Sequence, residues 1–79
     1  YEVALVRGQL ARALFQLKRD TEAGRLFEIA VPVLQRAEEV DLDYFAIIYE
    51  YGAFLSEKGQ YARALTYFDE LLDFYASDA

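Results

Sequence analysis

Slid along itself until Leu14 falls on Leu55, this 79-residue chain lays side chains of matching size on one another. In that register Ala23 falls on Ala64 and Phe27 on Phe68, while Leu10 meets Tyr51, Ala11 meets Gly52 and Ala30 meets Leu71. Identities are few; what recurs is the order of large and small side chains. A chain built this way makes one supersecondary unit twice and buries a face of the first against the second.

The unit is a pair of helices. Apolar residues recur at intervals of three and four in four stretches, the signature of amphipathic helices. In the first, Val3, Val6, Leu10, Leu14 and Leu17 form the stripe expected to face inward, ending near Lys18 and Arg19, whose charges suit a helix C-terminus. The second opens at Asp20-Thr21, either of which can cap a helix. Its stripe is Ala23, Leu26, Phe27, Ala30, Val33, Leu34, Ala37 and Val40. Pro32 lies within it. Because the stripe keeps phase across the proline, a continuous kinked helix is favoured over two short ones broken at Val31.

Asp41-Leu42-Asp43 supplies the cap of a third helix. Phe45, Ile48, Tyr51, Gly52 and Leu55 make its inner face, with Tyr44, Ile47 and Phe54 beside them. Lys58-Gly59-Gln60 ends it, glycine being the preferred residue just past a helix C-terminus. The fourth spans about residues 61–75, with Ala64, Leu65, Phe68, Leu71, Leu72 and Tyr75 inward, and residues 77–79 are expected to fray. Short turns after the first and third helices force antiparallel pairs. The expected fold is all-α: one domain over 1–79 made of two stacked helical hairpins, repeat one about 2–40 and repeat two about 43–76.

The second hairpin resembles the tetratricopeptide repeat, whose pattern runs W-x2-L-G-x2-Y, then A-x3-F, then P. Ile48, Tyr51, Gly52 and Leu55 occupy the first part, Gly59-Gln60-Tyr61 the turn, and Ala64 and Phe68 the A-x3-F element, followed by Leu71. The first hairpin is a sparser match through Leu10, Ala11, Leu14, Ala23, Phe27 and Ala30. Arg7 stands where the family opens with an aromatic residue, and no glycine marks the turn. The period here is longer than the family's usual one by about two helical turns, so a longer second helix stays nearly in phase. The family's closing proline is absent. The small side chains have a physical reason: at Ala11, Gly52, Ala23 and Ala64 the helices approach closely, and a bulky group would cost roughly 1–3 kcal/mol.

Catalysis has little to work with. The chain has no His and no Cys, so the commonest general base, the thiolate nucleophile and the cysteine-based zinc site are excluded. Thr21, Ser56, Thr66 and Ser77 have no base in a recognisable arrangement, and no Gly-rich phosphate loop is present. Glu38, Glu39, Asp41 and Asp43 lack calcium-loop spacing and read as solvated helix ends. The expectation is a non-enzyme without cofactor or metal. Having no cysteine points to a reducing, cytoplasmic setting, and no apolar run is long enough to span a membrane. With no initiating Met, the chain reads as an excerpt of a longer regulatory or adaptor protein.

Charge is uneven. Residues 1–37 carry six basic and four acidic side chains, and residues 38–79 carry two and ten. A net charge of −6 disfavours contact with a phosphate backbone. The acidic half suits a basic partner, or acidic ends stack on basic ones in a head-to-tail array.

What the resemblance implies is a scaffold that binds a protein or peptide on the groove lined by the first helix of each repeat. Carried over by position, that groove comprises Gln9, Arg12, Phe15 and Gln16, with Leu5 and Gly8, from the first helix. From the third it takes Tyr49, Glu50, Ala53 and Glu57, with Ala46 and Ser56. The basic carboxylate clamp of some family members has no counterpart beyond Arg12, and the lining suits a segment with a basic residue and an apolar anchor. The alternative function is self-association, with Ile47, Tyr67 and Phe74 as an exposed apolar patch.

Overall fold

A computed structural model describes residues 1–37 and 41–77. They form α1 (Glu2–Gln16), α2 (Asp20–Arg36), α3 (Leu42–Glu57) and α4 (Tyr61–Ser77), with no strand among the described residues. α1 packs on α2 and α3 on α4; α3 also lies against both α1 and α2. The result is two stacked antiparallel hairpins. The expected limit of repeat one at residue 40, and Val40 of the α2 stripe, lie outside the described residues.

The two turns are the same turn. Arg19 N–H donates to the Leu14 carbonyl and Gln60 N–H to the Leu55 carbonyl, each at 2.9 Å, and these two pairs are repeat equivalents. Lys18 N–H to Phe15 and Gly59 N–H to Ser56 repeat likewise, each at 3.0 Å. Gly59 has φ +79° and Lys18, its equivalent, φ +65°. The first turn therefore has the geometry of the second without its glycine. A left-handed Lys carries a Cβ clash of about 1–2 kcal/mol, so Lys18→Gly is expected to stabilise the chain by about 1 kcal/mol and raise Tm by roughly 4–8 °C. A thermal melt with unchanged or lower Tm would contradict this.

α2 is one helix through Pro32, without a break at Val31. The proline faces solvent, so the Glu28 carbonyl it leaves unbonded can turn to water. α2 has no side-chain cap: it starts at Asp20, preceded by Arg19, and Asp20 instead pairs with Lys58 at 2.6 Å. Asp41 does cap α3, accepting the Tyr44 N–H at 2.9 Å.

The core centres on α3, whose Tyr44, Phe45, Ile47, Ile48, Tyr51, Gly52, Phe54 and Leu55 are all buried. A helix apolar on nearly all sides must be covered on more than one flank, and α3 is. Ile47, expected to be exposed, is 0% exposed and is seated on Gly8. Phe54 lies over Gly24 and between the rings of Phe15 and Phe27, each 5.6 Å away. Phe27 also meets Tyr51 at 5.2 Å, and Gly52 lies beneath Phe68. Ala11, Leu14, Ala23, Phe27, Ala30, Tyr51, Leu55, Ala64 and Leu71 are buried as the repeat requires, with Phe68 half-buried against them.

α1 is turned away from its expected face. Its buried residues are Ala4, Gly8, Ala11, Leu14 and Phe15, whereas Val3, Val6, Leu10 and Leu17 are exposed. Small residues let α1 lie close to α2 and α3 at once, which leaves its large aliphatic stripe outside. Leu10 is therefore not a packing residue within the chain. On α4, Leu65, Leu72 and Tyr75 are likewise exposed, and only Ala64 and Leu71 are buried.

Candidate functional site

Four of the groove residues come together. Arg12 from α1, and Ala46, Tyr49 and Glu50 from α3, line a slot of about 310 Å³ with Leu42, Phe45, Leu71 and Tyr75. Arg12 donates from Nη1 to Gln9 Oε1 at 2.6 Å, so Gln9 orients the guanidinium rather than facing a ligand itself. Arg12 Nε is buried with no hydrogen-bond partner, a donor whose desolvation is uncompensated. Tyr49 is 59% exposed, its ring 5.9 Å from that of Phe68. Among the described residues Glu50 pairs with no cation.

The remaining groove residues lie elsewhere. Phe15 is buried under Phe54 and belongs to the core, because α1 turns that side towards α2 and α3. Gly8 is covered by Ile47. Leu5 and Ala53 are half-buried against the core and Ser56 is half-buried. Gln16 and Glu57 are exposed, away from the slot, at repeat-equivalent ends of their helices. Leu42, Phe45, Leu71 and Tyr75 are additions to the groove, because the position of α4 beside the slot is not written in the stripes. The signal that finds them is the repeat: one period before Phe45, Tyr49, Leu71 and Tyr75 stand Ala4, Gly8, Ala30 and Leu34, part of the floor on which α3 is seated.

A second polar feature joins α2, α3 and α4. The Tyr51 hydroxyl donates to Glu28 at 2.8 Å and accepts from Arg63 at 2.8 Å, and Arg63 also approaches Glu28 at 3.4 Å. Two turns back on the same face of α3, the Tyr44 hydroxyl donates to Glu70, which also accepts from Gln35 at 3.1 Å. Burial, reinforced by hydrogen bonds to the carboxylates of Glu70 and Glu28, pushes both phenols far above their ordinary value. Folding thus favours the neutral phenol. That contribution is complete below about pH 10, the unfolded tyrosine value, and is lost as pH rises through the higher folded values. Urea midpoints of the wild type should fall more steeply above pH 10 than those of a Tyr44→Phe/Tyr51→Phe variant. Parallel alkaline limbs would contradict the assignment.

A wider depression of about 590 Å³ runs along α2 and the end of α3, floored by Gly24 and Phe54. Several charges on its rim are already paired, Lys58 with Asp20 and Glu28 with Tyr51 and Arg63. Tyr67, expected to be exposed, is half-buried with its ring 4.9 Å from that of Tyr51; Phe74 is exposed as expected, its ring 4.3 Å from that of Phe45, but with Ile47 buried the three form no patch. Asp41 and Asp43 belong to the start of α3, while Glu38 and Glu39 lie outside the described residues. No group of three metal-ligating side chains occurs among the described residues. No helix among them is long and apolar enough to cross a membrane.

No protein-family model, no curated protein and no solved structure matches the chain.

Proposed function

We propose that this chain is a tetratricopeptide-like interaction module of two long repeats, part of a regulatory or adaptor protein, that holds a segment of another protein and catalyses nothing. The observation that carries the reading is the slot itself, with two exposed tyrosines, Tyr49 and Tyr75, the carboxylate of Glu50 without a cation among the described residues and the Nε of Arg12 without an acceptor. The equivalence of Lys18 and Gly59 in the two turns supports the repeat assignment. An apolar side chain fills the space between Phe45, Tyr49, Leu71 and Tyr75. A lysine or arginine next to it meets Glu50, in the acidic half of the chain, where the field draws cationic segments in.

The test is fluorescence anisotropy with short labelled peptides that combine an apolar anchor with either basic or acidic neighbours. Basic peptides should bind at least tenfold more tightly than acidic ones. A Glu50→Lys variant should lose that preference, a change of about 1.4 kcal/mol or more, whereas Glu57→Lys, away from the slot, should keep it. Equal binding of both peptide classes by the wild type, or no effect of Glu50→Lys, removes the site. Self-association is a second reading, and a separate observation favours it: the large aliphatic residues of α1 and α4 lie in water at opposite ends of the stack.

A further inference from the structure

The exposed apolar residues are not scattered. On α4, Leu65 and Leu72 are 59% and 65% exposed. They stand one period after Gly24 and Val31 of α2, Gly24 directly beneath Phe54 of α3 and Val31 buried in the core. On α1, Val3, Val6 and Leu10 are 62%, 68% and 50% exposed. They stand one period before Tyr44, Ile47 and Tyr51 of α3, all buried, of which Ile47 seats on Gly8 and Tyr51 meets Phe27 of the first hairpin. Each end of the molecule thus repeats one half of its own internal interface.

We infer that these two ends are the halves of an intermolecular interface, and that a second copy of this chain docks its α1 onto the α3–α4 face of the first, head to tail. This deepens the self-association reading and rests on it. Three observations identify the occupant.

The first is size. Within the chain, Phe54 lies over Gly24; between copies the equivalent pair is Ala13 on Leu65, the large and small partners exchanged. Ile47 on Gly8 becomes Val6 in the slot beside Tyr49. The second is polarity. The ion pair of Lys58 with Asp20 has as its repeat equivalents Leu17 and Tyr61, which are 67% and 70% exposed. A charged contact inside the chain is replaced by an apolar one at both ends, and neither residue is covered within a single copy. The third is charge: residues 1–37, which supply the incoming face, are net positive, and residues 38–79, which receive it, are strongly negative. On the incoming face Arg7 and Glu2 border a shallow depression of about 440 Å³, and Arg19, Arg25 and Glu22 border one of about 530 Å³. Such steering favours unlike ends over like ones.

One equivalence is unfavourable. The contact of Arg63 with Glu28 maps onto Glu22 of the incoming copy and Asp69 of the receiving one, two carboxylates. Glu22 is partly neutralised by its own Arg19, 2.7 Å away. Asp69→Lys should therefore strengthen the assembly.

Unlike a two-fold interface, a head-to-tail one does not use itself up in a pair, so growth continues beyond the dimer. Sedimentation across a concentration series tests this with the wild type and with Leu10→Asp and Leu72→Asp, both at exposed positions, each checked for native helicity. The wild type should form species larger than a dimer. Each variant alone should be at least tenfold weaker in association, because one of its ends is spoiled. Mixed in equal amounts, the two variants should form a heterodimer and stop there, since only one sound pair of ends remains. Asp69→Lys should associate severalfold more tightly than the wild type. A wild type that stops at a symmetric dimer leaves self-association standing and overturns the head-to-tail geometry. A wild type that stays monomeric throughout overturns both, and assigns the two faces to other occupants.

Discussion

Phe54→Ala is expected to cost about 3–5 kcal/mol, the range for emptying a buried aromatic site. A chain of this length has roughly 4–12 kcal/mol of stability in all, so the variant should keep little or no cooperative unfolding transition. Phe54 is the side chain that ties the two hairpins: its ring lies against Phe15 of α1, Phe27 of α2 and the backbone of Gly24. Leu65→Ala, which removes a similarly apolar side chain that is exposed in a single copy, should stay within about 0.5 kcal/mol of the wild type in protein dilute enough to be monomeric. Urea denaturation followed by circular dichroism checks both. If Phe54→Ala unfolded at the wild-type midpoint, the second hairpin would not be seated where it is described.

The second large effect is expected at Gly8. A Cβ there would stand 2.6 Å from Ile47 Cδ1 and about as tightly against its branch, at 3.0 and 3.1 Å. Ile47 is wholly buried and has nowhere to turn. Gly8→Leu should therefore cost about 3 kcal/mol, the upper end for overfilling a packed site. Gly8→Ala gains about 1 kcal/mol in helix propensity and should still be destabilising. Gly52→Ala meets the ring of Phe68 at a similar distance, but that ring is half-exposed and can swing outward, so its cost should be smaller. The ordering of the two alanine variants is as informative as their size, because it depends on which neighbour can move. A Gly52→Ala more damaging than Gly8→Ala would contradict the packing.

Much of this architecture is legible in the residues. The inner face of α3 reads correctly through Phe45, Ile48, Tyr51, Gly52 and Leu55, while Ile47, off that stripe and expected outside, is covered because α1 lies across the helix at Gly8. The turn at Gly59 reads correctly because glycine announces a left-handed residue. Its twin at Lys18 does not, since nothing in a lysine signals φ +65°; only the repeat register relates the two. The buried face of α1 is misleading for a definite reason. Apolar stripes are found by bulk, and bulk at Val3, Val6 and Leu10 outweighs the small ridge of Ala4, Gly8 and Ala11, yet closeness of approach is decided by small residues. At the slot, Arg12, Ala46, Tyr49 and Glu50 are what the tetratricopeptide resemblance implies, carried over position by position. Phe45, Leu71 and Tyr75 read only as inward stripe residues, and the repeat register alone marks them for the slot, because their role depends on how α4 lies beside α3.

The seating of one hairpin on the other is the claim on which the slot, the polar network and the end-to-end inference all rest. Its most direct test is a nuclear Overhauser experiment on the chain with isoleucine methyls labelled. Cross-peaks from the Ile47 δ1 methyl to the Gly8 α protons, together with contacts from the Phe54 ring to the Gly24 α protons, are the expected result. A spectrum with strong contacts inside each hairpin and none between these two pairs would contradict the account.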